Sequence, residues 1–135
     1  MAHFNVSRRT VSRWITGVVF ILAGLNHFLL PELYTQIMPP YLLPALHLEL
    51  VYLSGLLEVL GGAGLLVPAT RRAAGWLLLA VLVGVYPANI YMATNAGQFA
   101  DVAPAWVFWA RLPFQFVLMA LVWWVSREPN SDRTD

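Results

Sequence analysis

Cysteine and lysine are both absent from this chain of 135 residues, and charged residues make up only 11% of it. The absence of cysteine excludes disulfides, thiol redox chemistry and thiolate metal ligands. A soluble globular chain is roughly 25% charged, whereas here hydrophobic residues reach 59% and the mean hydropathy is +0.65. The formal net charge of +1 is uninformative about nucleic acid, but the sequence has no basic patch large enough to bind it. These values indicate a small integral membrane protein, with the lipid bilayer as its first partner.

The apolar residues form four runs that are each long enough to cross a bilayer. They predict spanning helices at about residues 11–30, 45–67, 73–94 and 104–125. A single four-helix domain, residues 11–126, would then lie between polar tails at 1–10 and 127–135. The segment SRRTVSR (7–13) is similar to a twin-arginine export signal. A retained anchor is the favoured interpretation, because no small-residue cleavage site follows it.

A proline-rich segment separates the first two predicted spans. Residues 31–44 contain four prolines, so they cannot form a span. They predict a short interfacial helix over 32–38 that ends at Pro39 and Pro40. Tyr34 and Tyr41 suit the level of the lipid headgroups.

The arginines predict the orientation of the four spans. With four spans, seven of the eight arginines fall on one side of the membrane: Arg8, Arg9, Arg13, Arg71, Arg72, Arg127 and Arg133. Positive residues favour the cytoplasmic side, so we expect both termini in the cytoplasm. The expected location is the cytoplasmic (inner) membrane of a bacterium.

The second span carries a carboxylate near its middle, at Glu58. Such a group costs a few kcal/mol in a bilayer and therefore needs a partner or a water-filled cavity. His47, Val51, Ser54 and Glu58 are spaced four, three and four residues apart, which places them on one helix face. The glycines that follow, 61, 62 and 64, leave room for a neighbouring helix to approach closely.

Arg111 in the fourth span is the other charge deep in the predicted helices. We therefore predict a pair between Glu58 and Arg111, direct or through Gln115, Asn89 or water. A pair of this kind can also serve only to fix the register of the helices.

Polar side chains from all four spans reach the same half of the predicted bundle. With a rise of about 1.5 Å per residue, they lie between about 5 and 20 Å below the outer boundary. Proline kinks at 87 and 113 fall in the same half, and Pro87 should leave the carbonyl of Val83 without a donor. We predict an outward-facing polar pocket with Glu58 at its floor. The candidate pocket residues are His27, Ser54, Glu58, Tyr86, Asn89, Arg111 and Gln115.

Metal, haem and hydrolytic sites have weaker support. His27 and His47 could clamp a haem, but both lie at helix ends, where an interfacial role is more common. A di-metal carboxylate site is disfavoured because no Glu-x-x-His pair is present. Ser54 has no histidine at hydrolase-like spacing. We expect no metal site and no enzyme activity of the chain by itself.

Four motifs in order make the chain similar to the DoxX-like membrane proteins. They are GLNHF (24–28), SGLLEVLGGAGLL (54–66), PANIYMA (87–93) and RLPFQ (111–115). The resemblance implies a transmembrane four-helix bundle whose polar positions are His27, Glu58, Asn89, Arg111 and Gln115. It also implies a role associated with redox chemistry, such as thiosulfate:quinone oxidoreduction. Vitamin K epoxide reductase-like bundles share the architecture but need cysteines, so that interpretation fails here.

Three functions remain open at this point. The first is a redox-associated subunit that binds a quinone or a similar amphipathic molecule, with a redox partner protein or a second copy of the chain. The second is a small transporter or permeation protein that uses the Glu58–Arg111 pair. Against it, four helices are few and no inverted repeat is visible. The third is a structural accessory subunit of a membrane complex.

Overall fold

The computed structural model describes residues 6–127, and within that range it is helical with no strand. The tails predicted at 1–10 and 127–135 lie largely outside the described residues. The helices are α1 (Arg8–Leu29), α2 (Pro31–Gln36), α3 (His47–Leu66), α4 (Arg71–Thr94) and α5 (Ala105–Ser126). Short 3-10 turns at Pro44–Leu46 and Ala96–Phe99 lead into α3 and follow α4.

The four long helices are each long and apolar enough to cross a membrane. Their bounds lie within three residues of the predicted spans, so the predicted all-helical fold with four helices long enough to span a membrane is confirmed. The first helix begins three residues earlier than predicted, at Arg8. The reason is a cap, because the Ser7 side chain accepts a hydrogen bond of 3.1 Å from the backbone N–H of Thr10.

Helices α1 and α3 pack closely through facing glycines. A Cβ on Gly24 would lie 2.5 Å from the carbonyl oxygen of Gly55, and a Cβ on Gly62 would lie 2.5 Å from that of Gly17. Any side chain at these positions would therefore push the two backbones apart. The predicted close approach at Gly62 is confirmed, and α1 is the helix that makes it.

We call the half of the bundle in which α1 and α4 begin the arginine half. Its core contains buried residues of all four long helices: Phe20, Leu65, Ala74, Leu78, Leu82, Val122 and Val125. Two buried arginines bond to helix-end carbonyls there. Arg13 Nε donates to the Val125 carbonyl at 2.8 Å, and Arg71 Nε donates to the Leu65 carbonyl at 2.9 Å. These bonds satisfy carbonyls that a helix end leaves without a partner.

The opposite half, which we call the polar half, is packed differently. Its buried apolar cluster consists of Met92, Ala93, Phe99 and Phe108, all from α4, α5 and the turn between them. No buried residue of α1 or α3 joins this cluster. The α1–α3 pair and the α4–α5 pair therefore leave space between them in this half.

The segment between α1 and α3 lies against this space. Its side chains Tyr34, Ile37, Met38, Leu42 and Leu43 line a cavity there. Leu43 adopts a left-handed backbone conformation, with φ 41° and ψ 58°, which is uncommon for a residue with a side chain. The α2 helix is shorter than predicted and ends at Gln36, before the two prolines.

Candidate functional site

A cavity of about 420 Å³ lies between α3 and α4, mainly in the polar half, and extends to Leu77 in the first half of α4. Most of its lining is aliphatic, including Leu50, Leu53, Leu57, Leu77 and Val81. The polar side chains that line it are His27, Tyr34, Ser54, Glu58, Asn89 and Arg111. Volume and lining are both typical of sites for small molecules that are largely apolar.

A second cleft of about 550 Å³ lies among α1, α4 and α5. It shares Glu58, Val85, Asn89 and Arg111 with the first cavity, so these residues form a common wall. Gln115 lines only the second cleft.

The nearest ionisable partner of Glu58 is a histidine of α1. His27 Nδ1 lies 2.9 Å from Glu58 Oε2, and both side chains are about nine-tenths buried. The distance is that of a hydrogen bond, but an in-plane N–H on the ring does not point at the oxygen. The contact is therefore a close electrostatic one, and it is an ion pair when His27 is protonated.

The tight glycine packing explains why this histidine meets this carboxylate. Gly24 and His27 are three residues apart on α1, as are Gly55 and Glu58 on α3, so each pair shares a helix face. A Cβ on Gly55 would lie 2.7 Å from the Cβ of His27. The close backbone approach thus brings His27 onto Glu58.

The predicted direct pair between Glu58 and Arg111 is not present. Within residues 6–127, Arg111 forms no salt bridge and no hydrogen bond, and its side chain is exposed. It lines both cavities beside Glu58, as the depth estimate indicated, but its charge has no protein counter-charge in the described part of the chain.

Asn89 and Gln115 bond to each other across α4 and α5. Asn89 Nδ2 donates to Gln115 Oε1 at 3.0 Å, and Gln115 Nε2 donates to the backbone carbonyl of Leu82. On α4, Leu82 and Asn89 lie on opposite sides of Pro87, which cannot donate a backbone hydrogen bond. The prediction placed the exposed carbonyl at Val83, whereas the amide of Gln115 bonds one residue earlier. These two amides hold α4 to α5, and their bonds leave them less free to bind a ligand.

Two further predicted residues have contrasting positions. The Ser54 hydroxyl is buried, lines the first cavity and has no hydrogen-bond partner within residues 6–127. Such a group points to a water or ligand in the cavity. Tyr86 lines neither cavity and packs edge-on against Phe116, with ring centroids 5.7 Å apart. The sequence placed Tyr86 among the pocket residues, but in the structure it is not a lining residue of either cavity.

Tyr34 is a cavity residue that sequence reasoning did not place in the site. Its ring lies edge-on to His27, with centroids 3.9 Å apart, and its hydroxyl accepts a hydrogen bond of 2.6 Å from Asn26 Nδ2. Asn26 could have pointed to Tyr34 from the sequence, because the amide of Asn26 lies near the end of a membrane helix and needs a hydrogen-bond partner.

The second histidine lies apart from the site. His47 Nε2 is 2.7 Å from the carbonyl oxygen of Leu42, and His47 lines neither cavity. The structure therefore does not bring His27 and His47 together around one space. No group of three metal-ligating side chains forms in the described part of the chain.

Comparison with known proteins identifies a family without an assigned activity. No curated protein and no solved structure matches this chain. A family model described as "Domain of unknown function (DUF8561)" matches residues 16–126, which include the two cavities and all four long helices apart from the first turns of α1. The chain belongs to the DUF8561 family.

Proposed function

We propose that this protein is a membrane-embedded binding subunit that holds a lipid-soluble amphipathic molecule in the cavity between α3 and α4. The observation that carries the proposal is an apolar cavity of about 420 Å³ whose lining includes polar side chains of α1, α2, α3, α4 and α5. A purely structural subunit would gain more stability by filling this space with side chains, since a void forfeits packing contacts.

A quinone is one candidate for the occupant, as the DoxX resemblance predicts. Its carbonyl oxygens could accept hydrogen bonds from Arg111 and Ser54, and its isoprenoid tail could lie along the leucines of α3. The chain has no cysteine, so thiol electron transfer would need a redox partner protein. We therefore propose a redox-associated subunit and not an enzyme acting alone.

Permeation is supported less well than binding. Both cavities share one wall in the polar half, while the arginine half is filled by the core of Phe20, Leu65, Leu78 and Val122. A path across the membrane within one copy of the chain would have to cross that core. The direct Glu58–Arg111 contact that a gate would use is not formed in the described part of the chain.

Binding can be tested by titrating the purified protein in mild detergent with a short-chain quinone analogue. Gly84 lines the cavity, and a Cβ built there meets nothing within 4 Å. Gly84→Phe should therefore fill the cavity without disturbing the fold and weaken binding by at least about tenfold.

Gly97→Phe is the matched control, because Gly97 is equally open and lies outside both cavities. Equal binding by wild type and Gly84→Phe would show that the ligand does not occupy this cavity. A negative result with every lipid-soluble ligand would leave the accessory role as the better explanation.

We also propose that both termini and the arginine half face the cytoplasm of a bacterial inner membrane, with α2 at the outer interface. The support is the distribution of arginines, since Arg8, Arg9, Arg71 and Arg72 all lie in the arginine half. A single cysteine at exposed Thr70 gives a clean test, because the chain has none of its own. Labelling of Thr70→Cys by an impermeant reagent outside intact cells would contradict this orientation.

A further inference from the structure

We infer that the occupant of the cavity carries a negatively charged head group and that Arg111 is its counter-charge. This inference rests on the proposed binding function and narrows the class of ligand from any amphipathic molecule to an anionic one, such as a carboxylate or phosphate with a hydrocarbon chain.

The first argument is the unbalanced charge of Arg111. It is the seventh residue of α5, about 9 Å from the start of the helix, and so lies within a membrane-spanning segment. Within residues 6–127 it has no acidic partner, because the carboxylate of Glu58 contacts His27. A cation at such a depth is costly unless it meets a counter-charge or water, so an anion at this wall would be stabilised.

The second argument is that most other donors on the lining of the two cavities are already engaged. The amide of Gln115 donates to the Leu82 carbonyl, the amide of Asn89 donates to Gln115, and His27 Nδ1 lies against Glu58. Arg111 makes no hydrogen bond to the described residues, so all five N–H donors of its guanidinium stay available to a ligand there. A planar guanidinium binds a carboxylate or phosphate through two parallel hydrogen bonds, which a single quinone carbonyl cannot form.

The third argument is the shape of the space around Arg111. The first cavity extends from the shared wall along Leu50, Leu53, Leu57 and Leu77, which can pack against a hydrocarbon chain. Within residues 6–127, the Ser54 hydroxyl is a further unpartnered donor on the lining of this cavity. Glu58 would repel an anion, but its carboxylate is about nine-tenths buried against His27, whereas Arg111 is exposed and lines both cavities. The geometry therefore suits a charged head with an apolar tail better than a small hydrophilic ion.

The test uses the full chain in an uncharged detergent at mildly alkaline pH, with two probes that differ only in charge. The probes are a fluorescent long-chain fatty acid and its methyl ester. Wild type should bind the acid about ten- to a hundredfold more tightly than the ester, as expected for a charge-assisted contact. Arg111→Gln should lose that preference while keeping its affinity for the ester, and Arg111→Lys should retain part of it.

Arg72→Gln is the control, since Arg72 is an exposed arginine that lines neither cavity. Its preference for the acid should equal that of wild type. Circular dichroism of each variant confirms that the helices are intact.

The outcomes separate this inference from the proposed function. If wild type binds acid and ester equally, or if Arg111→Gln keeps the preference for the acid, the inference of an anionic head group is wrong. The proposal that the cavity binds an amphipathic molecule is then unaffected. If neither probe binds but the quinone analogue does, the anionic head is again wrong. If no probe of either kind binds, both proposals fail. Displacement of the acid by similar concentrations of inorganic phosphate would show a plain anion site and overturn the amphipathic ligand.

Discussion

Gly61 and Gly84 lie on the facing helices α3 and α4, yet their surroundings differ completely. In the arginine half, a Cβ on Gly61 would lie 2.5 Å from Leu78, so the missing side chain is filled by a neighbour. In the polar half, a Cβ on Gly84 would meet nothing within 4 Å, and the residue lines the cavity. Small residues thus allow close packing where a large partner faces them and leave a cavity where none does.

The polar side chains of the two halves also differ in their hydrogen-bond partners. In the arginine half, Arg13 and Arg71 donate hydrogen bonds to helix-end carbonyls, so these side chains satisfy backbone acceptors. In the polar half, Ser54 and Arg111 line a cavity without a protein partner in the described range. A half with a filled core thus adjoins a half that contains a cavity. The predictions below test this division, in order of decreasing effect.

The largest effect should come from overpacking the α1–α3 contact. Gly24→Leu places a side chain against the Gly55 carbonyl, which belongs to the backbone and cannot move aside. We expect a loss of about 3 kcal/mol or more in the free energy of unfolding. Thermal unfolding in mild detergent measures it. A variant as stable as wild type would show that the two helices are not in close contact.

The next effect concerns the contact between His27 and Glu58. A double-mutant cycle with His27→Gln and Glu58→Gln should give a coupling of about 0.5–3 kcal/mol, because the two side chains touch. The cycle of Glu58→Gln with Arg111→Gln is the comparison, and its effects should be nearly additive. Strong coupling between Glu58 and Arg111, with none between His27 and Glu58, would support the Glu58–Arg111 pair that the sequence predicts.

A moderate effect is expected from the amides that join α4 and α5. Gln115→Leu removes the donor to the Leu82 carbonyl and leaves the buried Asn89 amide without its acceptor. We expect a loss of about 1–3 kcal/mol. Adding Asn89→Leu should cost less than the sum of the single changes, because the orphaned amide is removed. Full additivity would mean that the two side chains do not bond.

The smallest effect should come from filling the empty space beside Gly84 in the polar half. Gly84→Leu adds a side chain into empty space and replaces a poor helix former, so stability should stay constant or rise by up to about 1 kcal/mol. The same thermal unfolding assay measures it beside Gly24→Leu. A large destabilisation would show that the cavity is filled in the protein without ligand.

Part of this site could be predicted from the chain and part could not. The positions of His27, Glu58, Asn89 and Arg111 along their helices follow from the rise per residue, which is a local property. The cavity indeed has all four on its lining. Tyr86 does not line the cavity, and the sequence could not indicate this because the direction of a side chain around α4 matters only once the flanking helices are known. The orientation in the membrane and the relation to DoxX proteins stay predictions.

The sequence by itself determined the membrane class and the four helices, because length, hydrophobicity and proline positions act within each segment. Only the tertiary structure decided which partner Glu58 has. Depth alone made Arg111 the natural choice, since it was the other deep charge. The glycine contacts at Gly24 and Gly55 bring α1 against α3, so the His27 ring reaches the carboxylate. Which helices touch depends on side-chain volumes matched across the whole bundle, and no single segment contains that information.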